Sequence, residues 1–385
     1  MPILHPAALL GFVSLIAAAS YVVLAAVAVL AWRLRGHAGD SLARPPVTVL
    51  KPLCGTEPGL YSHLRSFCEQ DYRDFEIIFG VSDADDPARL AAERLIAEFP
   101  SIPMRLVIDP RMHGSNRKVS NLINMLAHAR HGMIVMSDSD AFVGRDYLAA
   151  VTAPLRDQDV GLVTCLYSGV PTAGIWSRLG AMYINEWYIP SVLLTWLFGY
   201  QGYASGQTLC IRRDTLAAVG GLEVLADQLA EDYRLGELVR ALDLRIVLSP
   251  YVLNGEHHEP DLGSMTRHEL RWMKTIRVLR PRSFFGIFVT FSLPLALLGI
   301  SFASGAPAIS LAAWALFGVV VIARMVLHLA HRLPGKRALL SDFWLLPVRD
   351  VLLCWIWCRS FFISRVNWRG NEFDVDADGV MRRLS

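Results

Sequence analysis

The sequence predicts an α/β domain on a mainly parallel, Rossmann-like sheet, with transmembrane helices at its N- and C-terminal sides. Three observations predict it. Short apolar runs alternate with helical ones from Val47 to Met136, the signature of βαβ units. Aspartates gather where two of those runs end, at Asp83, Asp85 and Asp86 and again at Asp138 and Asp140, and ligands of such sheets bind beyond the carboxyl ends of the strands. Ala7 to Trp32 and Ser283 to Ala323 carry no charged side chain, while roughly 20 apolar residues are enough to cross a bilayer as a helix.

Taken in order, 1–35 reads as an N-terminal transmembrane anchor. It lacks a basic n-region, its apolar run is too long for a signal peptide, and its charges, Arg33 and Arg35, follow the run. A basic linker at 33–44 leads to a catalytic range at 45–282. There the strands are Val47–Leu50, Phe75–Val81, Met104–Ile108 and Met133–Met136, and the helices Leu60–Gln70, Pro87–Glu98 and Lys118–Arg130. Residues 175–200 hold Trp176, Tyr183, Trp187, Tyr188, Trp196 and Tyr200 beside Arg178 and Glu186. Aromatics with few charges favour the headgroup level, so this is an interfacial helix, with an internal core helix as the alternative. A transmembrane hairpin occupies 283–328, with helices near 284–303 and 307–327 and a turn at Gly305-Ala306-Pro307. A C-terminal membrane-associated segment and tail fill 340–385; because 343–363 carries Arg349, Asp350 and Arg359, an interfacial, re-entrant or spanning placement stays open.

Composition narrows the function. The 385 residues are 53% apolar with 37 basic and 35 acidic side chains, so no overall field attracts nucleic acid. The basic residues flank the spans: Arg271, Lys274, Arg277, Arg280 and Arg282 precede the second apolar stretch. Such residues mark the cytoplasmic side, which places the catalytic range in the cytoplasm, in a bacterium at its inner membrane. The six cysteines form no CxxC pair and read as reduced thiols.

Asp138-Ser139-Asp140 sets two carboxylates beyond a strand end, where they can chelate a divalent ion such as Mg²⁺ or Mn²⁺ that also binds phosphate oxygens. Asp83, Asp85 and Asp86 can accept from uracil N–H or ribose hydroxyls, or can cap the helix that follows Pro87. Lys118, near a helix start, suits a diphosphate, or belongs to a solvated basic turn. Glu231-Asp232 lies between helical segments and taken alone reads as helix surface. Cys54-Gly55 and Ala204 to Thr208 are small-residue loops suited to close ligand approach. His257-His258-Glu259 lacks metal-ligand spacing.

In this order, followed by His268-Glu269-Leu270-Arg271-Trp272 ahead of a membrane helix, the motifs resemble family 2-type GT-A glycosyltransferases. They are similar above all to the ceramide glucosyltransferase family, with its D, D, D, (Q/R)xxRW pattern, and to bacterial hopanoid-biosynthesis glycosyltransferases. The resemblance runs from Pro45 to Trp368 and includes Lys51-Pro52-Leu53-Cys54-Gly55. It implies a GT-A nucleotide-diphospho-sugar transferase domain and inverting transfer of a hexose, glucose or N-acetylglucosamine, from a UDP-sugar to a hydroxyl of a membrane lipid, ceramide or a hopanoid. It further implies that Asp86, with Asp83 and Asp85, binds donor, that Asp138 and Asp140 hold the metal, and that Asp232 is the catalytic base. The last motif maps to His268, Arg271 and Trp272 as donor-binding residues, with His where the family has Gln or Arg. Two other readings share some features: a processive polysaccharide synthase, for which the visible spans are few, and a membrane scaffold with a degenerate transferase domain, against which the intact set of acids argues.

Overall fold

The computed structural model describes residues 6–35, 44–200, 202, 204–303, 307–330, 342–363, 366–368, 371–376 and 378–383. Most of the linker expected at 33–44, and Gly305 and Ala306 of the expected turn, lie outside them. In chain order the elements are α1 (Pro6–Leu34), β1 (Val47–Pro52), α2 (Leu60–Cys68), β2 (Phe75–Val81), α3 (Ala88–Glu98), β3 (Met104–Ile108), α4 (Arg117–Leu126) and β4 (Met133–Met136). There follow β5 (Ala141–Phe142), α5 (Tyr147–Thr152), β6 (Val160–Pro171), α6 (Gly174–Tyr183), α7 (Ile189–Leu197), β7 (Leu209–Arg212), α8 (Arg213–Ala218), α9 (Glu231–Ala241) and β8 (Arg245–His257). The remainder comprises α10 (Leu262–Leu279), α11 (Pro281–Gly286), α12 (Ser292–Ala303), α13 (Pro307–Ala330), α14 (Leu345–Ser360), β9 (Val366–Trp368), β10 (Asn371–Val375) and β11 (Met381–Arg383).

The chain forms two compact units. The first comprises Gly36–Thr172, Tyr200–His258 and Asn367–Ser385; the second comprises Met1–Arg35, Ala173–Gly199 and Glu259–Val366. The range expected for catalysis, 45–282, is therefore shared between them.

The first unit is built on a sheet of order β3-β2-β1-β4-β7-β6-β8-β5. Its first half is parallel, as expected: β1 pairs in parallel with β2 and β4, and β2 with β3. The second half is mixed. β7 runs antiparallel to β4 and β6, β5 runs antiparallel to β8, and β6 is parallel to β8. Four of the seven pairings described in this sheet are parallel, so it is mainly parallel as expected, with its antiparallel pairings confined to the strands beyond β4. The chain leaves this unit after β6 and re-enters at Tyr200, so the direction in which β7 joins the sheet is not set by a local βαβ unit. Strands β1, β2 and β4 are mostly apolar and buried on both faces, with Glu76 of β2 paired to Thr48 and Arg130. Val119, Leu122 and Met125 of α4 join Leu235 and Val239 of α9 in one core with Ile78 and Ile134. Asn121 donates to the Gly80 carbonyl at 2.8 Å, and a side chain at Gly80 would collide with Asn121 and Met125. That close seat carries the start of α4 to the carboxyl ends of the strands.

The second unit holds the apolar helices. Among the described residues, two, Pro6–Leu34 and Ile309–Ala330, are long and apolar enough to cross a membrane. Arg33 donates to the Ala330 carbonyl at 2.9 Å, so α1 and α13 end together. Helix α12 crosses α1 where Gly11 and Gly299 meet: a Cβ on either would stand 2.7 Å from the other's carbonyl oxygen. The helix expected near 284–303 is broken, with Pro281–Thr290 and Ser292–Ala303 meeting at 62°. Pro294 explains the break, since its ring would clash with the Thr290 carbonyl in a continuous helix. Residues 175–200 are helical, as α6, a π-helical turn at Ile184–Tyr188, and α7. Glu186 in that turn accepts from Arg324 and His328, both at 2.6 Å, and Arg324 also pairs with Asp350 at 3.0 Å. Arg349 makes a two-pronged pair with Glu269 at 2.7 and 2.6 Å. Arg349 and Asp350 of α14 are thus buried and paired, the usual condition for keeping charge among apolar helices, while Arg359 near its end is exposed and lies over the Trp355 ring at 5.6 Å.

Candidate active site

Beyond β4, Asp138, Ser139 and Asp140 lie in the turn that leads to β5. Beneath them Lys51 of β1 is fully buried. Its ammonium donates to the Asp138 carbonyl and stands 3.8 Å from the centre of the Phe67 ring. Burial pushes its pKa down to about 7, against the opposing pull of Asp138, Asp140 and Glu57. Ser139 donates to Glu57 at 3.3 Å.

Lys118 joins the acidic motifs. Its ammonium is 2.5 Å from an Asp138 carboxylate oxygen and 2.7 Å from Glu231. Burial works against its charge, but Asp138 and Glu231 more than offset that and hold it above the ordinary lysine range. The cation expected for a diphosphate is therefore shared by two carboxylates. It sits in the first turn of α4, whose N-cap Asn116 accepts from Val119 N–H at 3.1 Å and donates to Glu231 at 3.4 Å. Asp140 accepts from the Gln207 amide at 3.1 and 3.3 Å. Burial first, and then Asp138, pushes its carboxyl up from the usual range.

Asp232 occupies the first turn of α9, on a helix as the doublet read alone suggests, but half-buried beside the buried Glu231 and not on an open surface. Its carboxylate accepts from Gly206 N–H at 2.8 Å and from its neighbour Tyr233 N–H at 2.7 Å. Burial, then Glu231, raises its pKa to about 6, while Lys118 and the two N–H donors pull it down. Gly206 is the meeting point: a Cβ there would lie 3.2 Å from Lys118 Nζ, 3.4 Å from Asp232 Oδ2 and 3.5 Å from Asp138 Oδ2. A general base needs an elevated pKa and an approach for the reacting proton. Asp232 has the first, and the missing side chain at Gly206 leaves room for the second.

Asp86 binds backbone. Its carboxylate accepts from Gly55 N–H at 2.9 and 3.1 Å and from Ala88 N–H at 2.9 Å. It thereby ties the loop after β1, where Gly55 has φ +71°, to the start of α3. Asp83 accepts from Asp85 N–H at 2.9 Å, and both side chains are exposed. His268, Arg271 and Trp272 lie on α10, in the second unit. His268 Nδ1 donates to Glu259 at 2.9 Å, and its ring lies 4.1 Å from that of Trp272, which stacks on Tyr183.

The fold thus brings Lys118, Asp138 and Asp232 to one point with Asp140 beside them. Lys51, Glu57, Gly206, Gln207 and Glu231 belong to the same constellation and were not singled out for roles there. Their only signals were the run Lys51 to Gly55, the loop Ala204 to Thr208 and the doublet Glu231-Asp232.

A sequence model of glycosyl transferase family 21 matches residues 12–381, nearly the whole chain and parts of both units. The chain belongs to glycosyl transferase family 21. This bears out the resemblance to the ceramide glucosyltransferase family. The family 21 chain is 24% identical over 251 residues to ceramide glucosyltransferase 1 of Caenorhabditis elegans, covering 65% of this chain and 54% of that protein. It is 33% identical over 123 residues to the ceramide glucosyltransferase of Komagataella phaffii, covering 31% of this chain and 24% of that protein. The chain therefore spans about half, or less, of the length of these curated relatives. Among solved structures it is similar to a mannosyltransferase of Pyrobaculum calidifontis in complex with GDP-Man and Mn²⁺, with a TM-score of 0.54 and 19% identity over 92% of this chain and 99% of that one. That likeness concerns the fold, which is of the expected GT-A type.

Proposed function

We propose that this chain transfers a hexose from a UDP-sugar to the hydroxyl of a membrane lipid of the ceramide type, with inversion at the anomeric carbon. The observation that carries the reading is the meeting of Asp138, Lys118 and Asp232 around Gly206. It provides one end for a diphosphate and, beside it, a single base. Two relatives named ceramide glucosyltransferase and two helices fit to cross a membrane support the choice of acceptor.

In this reading Asp232 takes the proton of the lipid hydroxyl as that oxygen bonds to the anomeric carbon. The bond from that carbon to the phosphate oxygen breaks, and its electron pair leaves with UDP. One base and a good leaving group suffice, so an α-linked donor yields a β-glycoside. Gly206 N–H and Tyr233 N–H aim the Asp232 carboxylate. Lys118 supplies positive charge beside the diphosphate, and Arg271 with His268 would add cationic contacts to the same group. Asp83, Asp85 and Asp86 are assigned to the nucleoside end, Asp86 through its hold on Gly55.

The donor set fits a divalent cation. Asp138 and Asp140 place two carboxylates side by side at a cost in burial and repulsion that a cation relieves. Mg²⁺ commonly takes one or two carboxylates and completes its shell with substrate phosphates; the mannosyltransferase with a similar fold was solved with Mn²⁺. Such an ion would neutralise charge developing on UDP.

The test is incubation of membranes containing the chain with UDP-glucose or UDP-N-acetylglucosamine and ceramide, followed by mass spectrometry of the lipids. A gain of one hexose on ceramide is the expected result, abolished by excess EDTA. UDP release with the sugar on another lipid, such as a hopanoid, overturns the acceptor. Several sugars per acceptor indicate a processive synthase, and full turnover in EDTA removes the metal.

A further inference from the structure

Glu231 and Asp232 are preceded by a segment, Asp227–Leu229, that is gripped on both edges. On one edge Asn116 donates through its side chain to the Gln228 carbonyl at 2.8 Å, and Ser115 N–H donates to the Asp227 carboxylate at 2.7 Å. Asn116 N–H also donates to the Ala226 carbonyl at 2.7 Å. This is the same Asn116 that caps α4 and reaches Glu231, two residues before Lys118.

The other edge is held by the far end of the chain. Gln228 pairs with Val380 as an antiparallel bridge. Leu229 N–H donates to the Gly379 carbonyl at 2.9 Å, and Met381 N–H donates to the Asp227 carbonyl at 2.8 Å. The alternation is that of a strand, whose successive backbone groups point to opposite edges. The tail is built to present this edge. Val375 pairs with Met381 in the β10–β11 ladder. Gly379 takes φ +80°, and Asp376 accepts from Val380 N–H at 3.0 Å. Phe373 and Met381 are buried, at 4% and 1% exposure.

We infer that the C-terminal tail, Gly379–Met381, is a positioning part of the active site: it clamps Asp227–Leu229 against Asn116 and so sets where Glu231 and Asp232 stand relative to Lys118 and Asp138. This rests on the proposed role of Asp232. The tail touches no reacting atom in this account; it acts through the backbone it holds. A loop bonded on one edge only has more freedom, and displacement of a catalytic group by about 1 Å can cost on the order of 10²-fold in rate.

The test uses the full-length protein in membranes with UDP-glucose and ceramide. Met381→Pro removes the N–H that faces Asp227 without breaking the ladder, in which that N–H does not serve β10. Because it also removes the buried methionine side chain, Met381→Ala, which loses the side chain and keeps the N–H, is assayed beside it and should keep the parental kcat in its folded fraction. Met381→Leu keeps both the N–H and the buried apolar side chain. A further variant ends after Val375. Met381→Pro and the truncation should lose about tenfold or more in kcat, with KM for UDP-glucose within about threefold and the thermal midpoint nearly unchanged, while Met381→Leu matches the parent. Parental kcat in both Met381→Pro and the truncation overturns the inference. So does a loss that merely tracks a lowered thermal midpoint, since the tail would then only stabilise the fold. Asp232→Asn, assayed alongside, separates the two ideas: if it keeps parental kcat the base assignment fails, whatever the tail variants do.

Discussion

Asp232 and Gly206 carry the residue-scale account. Asp232→Asn keeps size and one of the two N–H contacts, because Gly206 and Tyr233 donate to different carboxylate oxygens. It cannot take a proton, and loss of a general base typically costs about 10²- to 10⁴-fold in rate. The expected signature is a fall in kcat with UDP-sugar KM nearly constant. The pH dependence has a definite sign. With its pKa raised to about 6, Asp232 is protonated and inactive below that value, so kcat should climb through pH 6 and level off above it. A pH–rate profile in which that acid limb persists in Asp232→Asn would assign it to another group. Linkage runs the opposite way for stability: a carboxyl raised in the folded state stabilises at low pH and loses that contribution as pH rises through about 6. At pH 7.5 Asp232→Asn should therefore melt close to the parent's midpoint, relief of the buried charge offsetting the one lost N–H contact, while being nearly inactive, and scanning calorimetry at that pH checks it. Gly206→Ala places a methyl within 3.2 to 3.5 Å of Lys118, Asp232 and Asp138. It should leave the fold intact and lower kcat/KM by about tenfold or more, because an apolar group then fills the approach to the base.

Elements are placed here by glycines and by buried charge as much as by apolar periodicity. Helix α4 lies on β2 because Gly80 has no side chain, and that seat carries Asn116 and Lys118 to the strand ends. Among the membrane helices, Gly11 and Gly299 allow α1 and α12 to touch backbone to backbone, the small-residue packing that joins helices where lipid supplies no hydrophobic drive. Gly299→Val should force these helices apart at a cost of about 1–3 kcal/mol, a common penalty for overpacking. A lower thermal midpoint in detergent, with unchanged KM for UDP-sugar in the protein that remains folded, is the expected observation. Helix α14 was ambiguous for a physical reason. Its outward side chains Trp344, Val348, Val351 and Trp355 are exposed and apolar, whereas Arg349 and Asp350 are buried against partners. At 16 residues and 1.5 Å per residue, it is about 24 Å long, shorter than the roughly 30 Å hydrocarbon core.

At the scale of the whole molecule the question is sidedness. Arg33, Arg35 and the carboxyl end of α13 lie together in the second unit, and Arg35 stacks over Trp32 and Trp196 at 5.2 and 5.5 Å. Tryptophans favour the membrane–water interface and basic residues its cytoplasmic side, so the proposed orientation puts this end of the helices, and the supply of the proposed UDP-sugar, on the cytoplasmic side. A cysteine placed at the exposed Asp157 of the first unit should be labelled by an impermeant reagent in inverted vesicles and not in intact cells. Labelling in intact cells would reverse the orientation.

Much of this protein is written locally. Doubly buried strands such as Met133–Met136 are continuous apolar runs, and the acids that end them are visible without any structure; so are the uncharged stretches and the order of motifs that marks the family. Those features depend on neighbours in sequence, through strand burial and the length a bilayer demands. The second half of the sheet was not legible, because β6, β7 and β8 pair across segments of the second unit and no local pattern records which edge they join. The partners inside the site were hidden for the same reason. Lys118 answers Asp138 and Glu231, Gly206 answers Asp232, and Gly379 and Met381 answer the loop before α9. Each of these is a meeting of residues far apart in the chain, decided by close packing and by the need of buried polar groups for partners, which only the tertiary structure supplies.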